Sequence, residues 1–176
     1  KLRLLKASHQ SQQYRLEDNL LKYFPEQIER SKGFIAGLES DMKTLAEHPH
    51  PRDGFAGMVV RGDTLTDKDN AGAAILEVKG IDPLEIGSYR GFSMSLSVEN
   101  FGREFVLTLN GQMTHRATLG TDARGNLTRI DNALASMPER IQNVHSQLEN
   151  LHSQMEAAKA EIGKPFPQEA ELQEKS

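Results

Sequence analysis

The sequence predicts an α+β protein in which a long antiparallel helical hairpin, a coiled coil, carries an inserted β-α-β-β-β head. Three observations lead to this fold class. One apolar heptad pattern runs through 14–45, a second of similar length runs through 127–162, and the segment between them alternates apolar and polar residues as strands do. The boundaries that follow are an N-terminal arm at 1–50, the head at 51–125, a C-terminal arm at 126–163 and a tail at 164–176.

The N-terminal arm is predicted to be helical because its apolar residues recur at steps of three and four. Glu17 and Ser31 are polar interruptions in this pattern, and Pro25 is expected to kink the helix. Because the heptad phase is the same on both sides of Pro25, we expect one roughly collinear helix rather than two short ones. The apolar positions of the pattern are Tyr14, Leu21, Phe24, Ile28, Ile35, Leu38, Met42 and Leu45.

The head is predicted to begin with a strand and a helix. Residues 55–62 form a largely apolar run between glycine-containing turns, which is typical of a strand. Thr66 or Asp67 can cap the helix that follows, because either side chain can accept a hydrogen bond from the first helical turn. We expect this helix to end near Gly80 and to cover one face of the sheet.

Three further strands are predicted to follow as an antiparallel meander. Apolar residues alternate with serines at 92–98, which indicates a strand with one buried face and one exposed face. The alternation continues at 105–109, and the pair Asn110-Gly111 is a strong signal for a two-residue hairpin turn. The last strand is expected at 112–119.

The C-terminal arm has the more regular heptad pattern. Asn126 is the expected cap of its first helix. Pro138 is expected to restart the helix, since Ser136 and Glu139 have the spacing of a capping box. The apolar positions are Leu127, Ile130, Leu134, Met137, Ile141, Val144, Leu148, Leu151, Met155, Ala158 and Ile162.

The two arms are expected to pair within one molecule, because their apolar patterns are nearly equal in length. Folding back would bring Leu45 near Ile130 and Leu21 near Met155. A coiled-coil dimer would bury the same residues, so the pattern leaves dimerisation open. The matched lengths favour a monomer over a dimer.

The composition indicates an intracellular protein. The chain has 176 residues, no cysteine and a formal net charge of −4. Without cysteine, neither disulfides nor thiolate metal ligands are possible, and no apolar run is long enough to span a bilayer. We therefore expect a cytoplasmic protein without a membrane partner, whose mixed charges give little general attraction for nucleic acids.

No motif predicts catalysis, a cofactor or a metal. The run Gly163-Lys164-Pro165 lacks the spacing of a phosphate-binding loop, and neither a nucleophile elbow nor a dinucleotide fingerprint occurs. His48 and His50 form the tightest histidine pair, but the proline between them and the lack of a neighbouring cysteine argue against a metal site. We expect this pair to lie in a solvated loop between helix and head.

Four residues of the head are candidate nucleic-acid contacts, namely Arg61, Tyr89, Arg90 and Arg116. Tyr89 and Arg90 precede the longest predicted strand, where an aromatic ring and a guanidinium group can reach a base or a phosphate. The alternative is that Tyr89 packs on the sheet and Arg90 pairs with a carboxylate. On strand parity, His115 and Arg116 face opposite sides, so the two cannot serve one surface.

Four runs of the sequence carry a family resemblance. The runs at 86–92, 105–111, 125–134 and 164–167 resemble the C-terminal region of very large helicase/DNA methylase proteins. Such proteins are encoded on bacterial integrative and conjugative elements. The resemblance extends from about Leu20 to the end of the chain, and its most specific part is the Arg-Ile-Asp-Asn-Ala-Leu string after Gly-Asn.

The resemblance implies that the whole protein processes DNA. It implies superfamily-two helicase motifs and an adenine methyltransferase Asn-Pro-Pro-Tyr motif, and neither occurs in these residues. We therefore expect a non-catalytic accessory region, in which the hairpin acts as a spacer and the head contacts DNA or another domain of the parent polypeptide. The alternative is a protein interaction module that dimerises through the coiled coil.

Overall fold

The computed structural model describes residues 2–78 and 85–162, and it confirms the α+β class. The tail at 164–176 and the expected helix end near Gly80 lie outside the described residues. The elements in chain order are α1 (Leu2–Asp18), a π-helical turn (Asn19–Tyr23), α2 (Phe24–Glu47), β1 (Met58–Val60), β2 (Asp63–Leu65), α3 (Lys68–Val78), β3 (Glu85–Tyr89), β4 (Phe92–Glu99), β5 (Glu104–Asn110), β6 (Thr114–Leu119), α4 (Ala123–Ala135) and α5 (Met137–Ile162).

The chain divides into two compact units. The helical unit contains the residues up to Gly33 and those from Gln142 onward, whereas the α/β unit is Phe34–Ile141. The α/β unit therefore contains more than the segment at 51–125 that the sequence assigns to the head. It also includes the end of α2, the whole of α4 and the start of α5.

In the helical unit, the end of α1 contacts the end of α5. Gln13 Nε2 donates a hydrogen bond to the carbonyl oxygen of Glu161 at 3.1 Å. The predicted pairing of Leu21 with Met155 places Gln13 opposite position 163. The observed partner, Glu161, lies within one helical turn of that position. The predicted positions on α5 are confirmed, since Val144, Leu148, Leu151, Met155 and Ile162 are half-buried and Ala158 is buried.

The prediction that the heptad phase continues across Pro25 is wrong. Tyr14 and Leu21 are 70% and 78% exposed, although the pattern assigns them to the paired face. Their places are taken by neighbours one residue away, because Gln13 and Leu20 are half-buried. The face that packs before Phe24 is thus rotated from the predicted one.

The π-helical turn at Asn19–Tyr23 explains this rotation. The N–H of Phe24 donates to the carbonyl of Asn19, five residues earlier, so the turn holds one residue more than an α-helical turn. Pro25 lacks the N–H that an α-helix would direct at the carbonyl of Leu21, which weakens the α-helical alternative at this point. The extra residue shifts every side chain before it around the helix axis.

The C-terminal arm restarts near Pro138 as predicted, but not through a capping box. A single residue, Ser136, separates α4 from α5. Its hydroxyl donates back to the carbonyl of Ala133 at 2.7 Å, and among the described residues it receives no hydrogen bond from the first turn of α5.

The predicted cap of α4 is also wrong. Asp122 is the N-cap, since its Oδ2 accepts from the N–H of Gly125 at 3.1 Å. Asn126 is instead buried in the first turn of α4. Its side chain accepts from the N–H of Gly120 at 2.7 Å and donates to the carbonyl of Gly120 at 3.0 Å, which fixes the helix start to the end of β6.

In the α/β unit, the described residues form one antiparallel sheet of six strands, in the order β2-β1-β3-β4-β5-β6. Two of these strands, β2 and β3, were not predicted. The edge strand β2 has three mostly exposed residues and therefore no apolar alternation. In β3, a register shift between Glu85 and Gly87 breaks the alternation. Gly87 is required there, because a Cβ atom would collide with the carbonyl of Val59.

The hairpin predicted at Asn110-Gly111 is present but longer. Asn110 pairs with Thr114, so the loop contains three residues rather than the predicted two. Two-residue turns occur instead at Arg61-Gly62 and Arg90-Gly91, where both residues have positive φ.

Helices cover one face of the sheet. The predicted helix α3 is confirmed with Asp67 as its cap, because Asp67 Oδ2 accepts from the N–H of Asn70 at 3.0 Å. A second helix, α4, packs beside it, and the expectation of one covering helix is therefore wrong. The two helices approach closely at Gly72, where a Cβ atom would lie 2.6 Å from the carbonyl oxygen of Ala123. Leu38 of α2 also contributes to this core.

A buried carboxylate joins α2 to the loop between β5 and β6. Asp41 accepts from the N–H groups of Gln112 and Met113 at 2.8 and 2.9 Å, and from His115 Nε2 at 2.7 Å. Arg140 donates to His115 Nδ1 at 2.7 Å, so the imidazole is neutral and carries its proton on Nε2. Burial lowers the pKa of His115 below its ordinary value of 6.5, although the hydrogen bond to Asp41 opposes this effect.

We predict that this histidine makes the α/β unit sensitive to acid. In the unfolded chain His115 binds a proton near pH 6.5, whereas in the folded protein it does not. Its contribution to the free energy of unfolding is therefore fully present above about pH 6.5 and is lost as the pH falls below that value. Urea denaturation at several pH values between about 5 and 8 would measure this loss. His115→Gln should remove this component of the pH dependence, whereas a His145→Gln control on exposed α5 should retain it.

Candidate nucleic-acid interface

Two of the predicted contact residues, Tyr89 and Arg90, lie together against α4. The hydroxyl of Tyr89 donates to Asp131 Oδ1 at 2.6 Å, and Arg90 Nη1 lies 3.4 Å from the same oxygen. The Tyr89 ring is 1% exposed and belongs to the core. Burial, followed by the hydrogen bond to Asp131, raises the pKa of Tyr89 well above its usual range, and the phenol stays neutral.

His50 completes this cluster. Its Nδ1 accepts from the N–H of Ala56 at 2.9 Å, so its Nε2 carries the proton and donates to Asp131 Oδ2 at 3.0 Å. Arg90 Nε donates to the carbonyl of His48 at 2.9 Å. The two histidines lie in the loop between α2 and the sheet, as expected, and His48 is exposed. His50 is half-buried, and its hydrogen bonds anchor this loop to α4 and the sheet.

Sequence reasoning missed Asp131, which organises this cluster, and it gave His50 no structural role. Asp131 is 42 positions from Tyr89 and 81 from His50, so no local pattern relates them. The string that contains Asp131 drew attention only through the family resemblance. Since Asp131 receives three donors, the Tyr89 and Arg90 side chains serve the fold, and the Arg90 side chain is only 13% exposed.

The structure does not bring Arg61 to this cluster. Met58 pairs with Tyr89 and Val60 pairs with Gly87, so the turn at Arg61 lies at the opposite end of β1 from the turn at Arg90. Arg61 is exposed there. The four predicted residues therefore do not form one surface.

Arg116 occupies a different surface, and the predicted parity of its strand is confirmed. His115, Ala117 and Leu119 are buried, whereas Thr114, Arg116 and Thr118 are exposed. Arg116 forms an ion pair with Glu99 across the solvent-facing side of the sheet.

Arg116 also borders a groove of about 400 Å³ between β6 and α4. None of the described residues that line this groove is acidic, and most carry hydrogen-bond donors. The lining residues are Arg116, Ala117, Thr118, Arg129, Asn132, Ala133 and Ser136.

Two arginines cap the outer edge of β6 beside this groove. Arg129 Nη1 donates to the carbonyl of Thr118 at 3.0 Å, and Arg140 Nη2 donates to the carbonyl of Thr114 at 3.3 Å. Within the described parts of the chain, neither guanidinium forms an ion pair with a carboxylate. No described carboxylate therefore offsets the positive charge of either group, and each has further N–H groups for an anion.

Nothing in the geometry provides a metal centre. Among residues 2–78 and 85–162, no three His, Asp or Glu side chains gather closely enough to hold a metal ion. Nor does any helix in the part of the chain that the structure describes combine the length and the apolar character needed to cross a membrane.

Comparison with known proteins identifies no relative of this chain. No family model matches the chain, no curated protein is significantly similar to it, and no solved structure matches its fold. The function of the candidate site is therefore inferred from its side chains and not from relatives.

We predict that Tyr89→Phe will lower the free energy of unfolding by about 1–2 kcal/mol, because Asp131 loses a charged hydrogen bond while the ring still fills its place in the core. Denaturant unfolding measures this loss. Tyr23→Phe is the matched control, since Tyr23 is 48% exposed and its change should stay within about 0.5 kcal/mol. Equal effects for the two variants would contradict a structural role for the Tyr89 hydroxyl.

Proposed function

We propose that this chain is a non-catalytic accessory region that contacts DNA, within a large helicase/DNA methylase of the kind found on bacterial integrative and conjugative elements. The observation that carries the proposal is the groove between β6 and α4, which is lined by arginines and contains no acidic residue among those described. The helical unit acts as a spacer, and the parent polypeptide supplies the catalytic domains.

The residue types of the groove suit a phosphate backbone. Arginine, threonine, asparagine and serine are among the side chains that donate hydrogen bonds to phosphate oxygens. Arg129 offers N–H groups that match the geometry of a phosphate, and Arg116 can do the same by leaving its exposed ion pair with Glu99. Asn132 adds a neutral donor on the facing helix. Contacts of this kind fix position on DNA without reading sequence, so binding should show little sequence preference.

The overall charge of the chain indicates that DNA binding would depend on a few residues of one surface. The chain has 25 acidic and 21 basic residues, so its general field does not attract a polyanion. Binding then depends on a few arginines on one surface, and its salt dependence should be correspondingly small. The same proposal places the protein in the cytoplasm, where a bacterial helicase/DNA methylase meets its DNA.

We expect the full chain to bind a fluorescently labelled DNA duplex at about 50 mM salt and to bind it more weakly at about 200 mM. Arg129→Gln should weaken binding at low salt and reduce the slope of log affinity against log salt by about one, because one phosphate contact is lost. Fluorescence anisotropy with single- and double-stranded DNA is the measurement.

Arg61→Gln is the matched control for this experiment, because Arg61 is also exposed but lies on a turn outside the groove. It should leave both the affinity and the salt slope unchanged. Two outcomes oppose the groove as the contact surface: DNA binding that does not depend on salt, or equal losses for Arg61→Gln and Arg129→Gln.

A second candidate function is dimerisation through α1, and one observation favours it. Leu4, Tyr14 and Leu21 are each at least 70% exposed on α1 and its π-helical turn. Tyr14 and Leu21 are one heptad apart, which is the spacing by which a second copy of the helix would pack against them.

If α1 forms this dimer, light scattering should show a mass that rises with protein concentration, and Tyr14→Gln should return the protein to the monomer mass. Gln12→Ala, an exposed change outside the Tyr14 and Leu21 positions, should leave the mass unchanged. A monomer mass at every concentration removes this candidate and leaves the DNA-contacting role intact.

A further inference from the structure

A cavity of about 610 Å³ lies at the other side of α4, in the α/β unit. Arg124 and Asp131 of α4 border it, together with Phe55 and residues at the start of α3. Arg124 and Asp131 are seven positions apart and share one helix face, whereas Arg129 and Asn132 of the groove lie on another face. The cavity and the groove are therefore separate sites, and its volume is within the range of small-molecule pockets.

The basic residues of this cavity are available to a ligand. Arg52 and Lys68 line it, and within the described residues neither forms an ion pair. Arg124 is paired with Asp69 at 2.6 Å, but both side chains are largely exposed. An exposed pair of this kind exchanges partners at little cost in free energy.

The acidic residues of the cavity are committed to internal partners. Asp131 already receives hydrogen bonds from Tyr89 and His50, and it is paired with Arg90. Asp67 caps α3 through the N–H of Asn70 at 3.0 Å. The lining carries three cations, Arg52, Lys68 and Arg124, against these two carboxylates, so its excess of positive charge favours an anionic ligand.

An aromatic wall adds a second kind of contact. The Phe55 ring is half-buried and lines the cavity. It is held at a defined angle, because its centroid lies 5.9 Å from that of His50 and 5.7 Å from that of Tyr89, both in stacked arrangements. A ring that is fixed in this way and still partly accessible can stack against a planar group.

We infer that this cavity binds a phosphorylated nucleoside, with the base against Phe55 and the phosphate between Arg52 and Lys68. Such a ligand combines the two properties that the lining selects, a negative charge and a planar ring. Two sources have this chemistry, namely a free nucleotide and the phosphorylated end of a nucleic-acid strand. The inference goes beyond the proposed function and does not depend on the groove.

The test uses the full chain and three probes, which are AMP, adenosine and inorganic phosphate. Titrations followed by amide chemical shifts should show AMP binding more tightly than either part alone, with shifts at residues of the cavity. Phe55→Leu keeps apolar packing but removes the ring, so it should weaken AMP binding about tenfold and leave phosphate binding unchanged. Lys68→Gln should weaken the binding of both AMP and phosphate.

Two further experiments distinguish a free nucleotide from a strand end, and the cavity from the groove. A 5′-phosphorylated single strand that binds the cavity as tightly as AMP identifies a strand end, whereas weaker binding identifies a free nucleotide. Repeating the AMP titration with Arg129→Gln should give the wild-type result, because that change affects only the groove. The inference fails if AMP binds no better than phosphate or adenosine, if the shifts lie outside the cavity, or if Lys68→Gln has no effect. Lys68→Gln remains decisive even if Phe55→Leu does not fold.

Discussion

The α/β unit depends on burying the carboxylate of Asp41. A buried charge is tolerated only when hydrogen bonds replace its lost hydration, and three donors from the end of the β5–β6 hairpin meet this need. The arrangement leaves no room for a side chain at Gly111, where a Cβ atom would collide with the carboxylate. By fixing the loop and placing His115 inside, Asp41 also fixes which residues of β6 face outward, and Arg116 is one of them.

A second carboxylate, Asp131, has a similar role on α4. It gathers Tyr89, His50 and Arg90 from segments that are distant in the chain. Satisfied polar networks of this kind specify one arrangement of a core more than they add to its stability. Around the same helix, Arg129 caps the edge of β6. A capped edge resists pairing with other strands, and the charge of the capping arginine remains available to an anion.

The helical parts show how far a repeating pattern can be followed. The apolar positions of α5 are buried or half-buried where the heptads predict them, because nothing interrupts the helix after Met137. In the N-terminal arm, the same reasoning fails before Phe24, since a π-helical turn adds a residue that the spacing does not reveal. Strands with apolar alternation, such as β4 and β6, were predicted. The polar strand β2 and the bulged strand β3 were not, because neither alternates apolar and polar residues.

The sequence by itself determined the features that depend on near neighbours: the α+β class, the C-terminal heptads and the parity of β6. It narrowed the cap of α3 to Thr66 or Asp67, and the structure shows Asp67. Only the tertiary structure decided the partners of Tyr89 and Arg90, and it separated Arg61 from Arg116. The physical reason is distance along the chain. Asp41 meets donors 71 to 74 residues away, and Asp131 meets donors 41 to 81 residues away. Such pairings depend on how the sheet and its helices pack, which local periodicity does not encode.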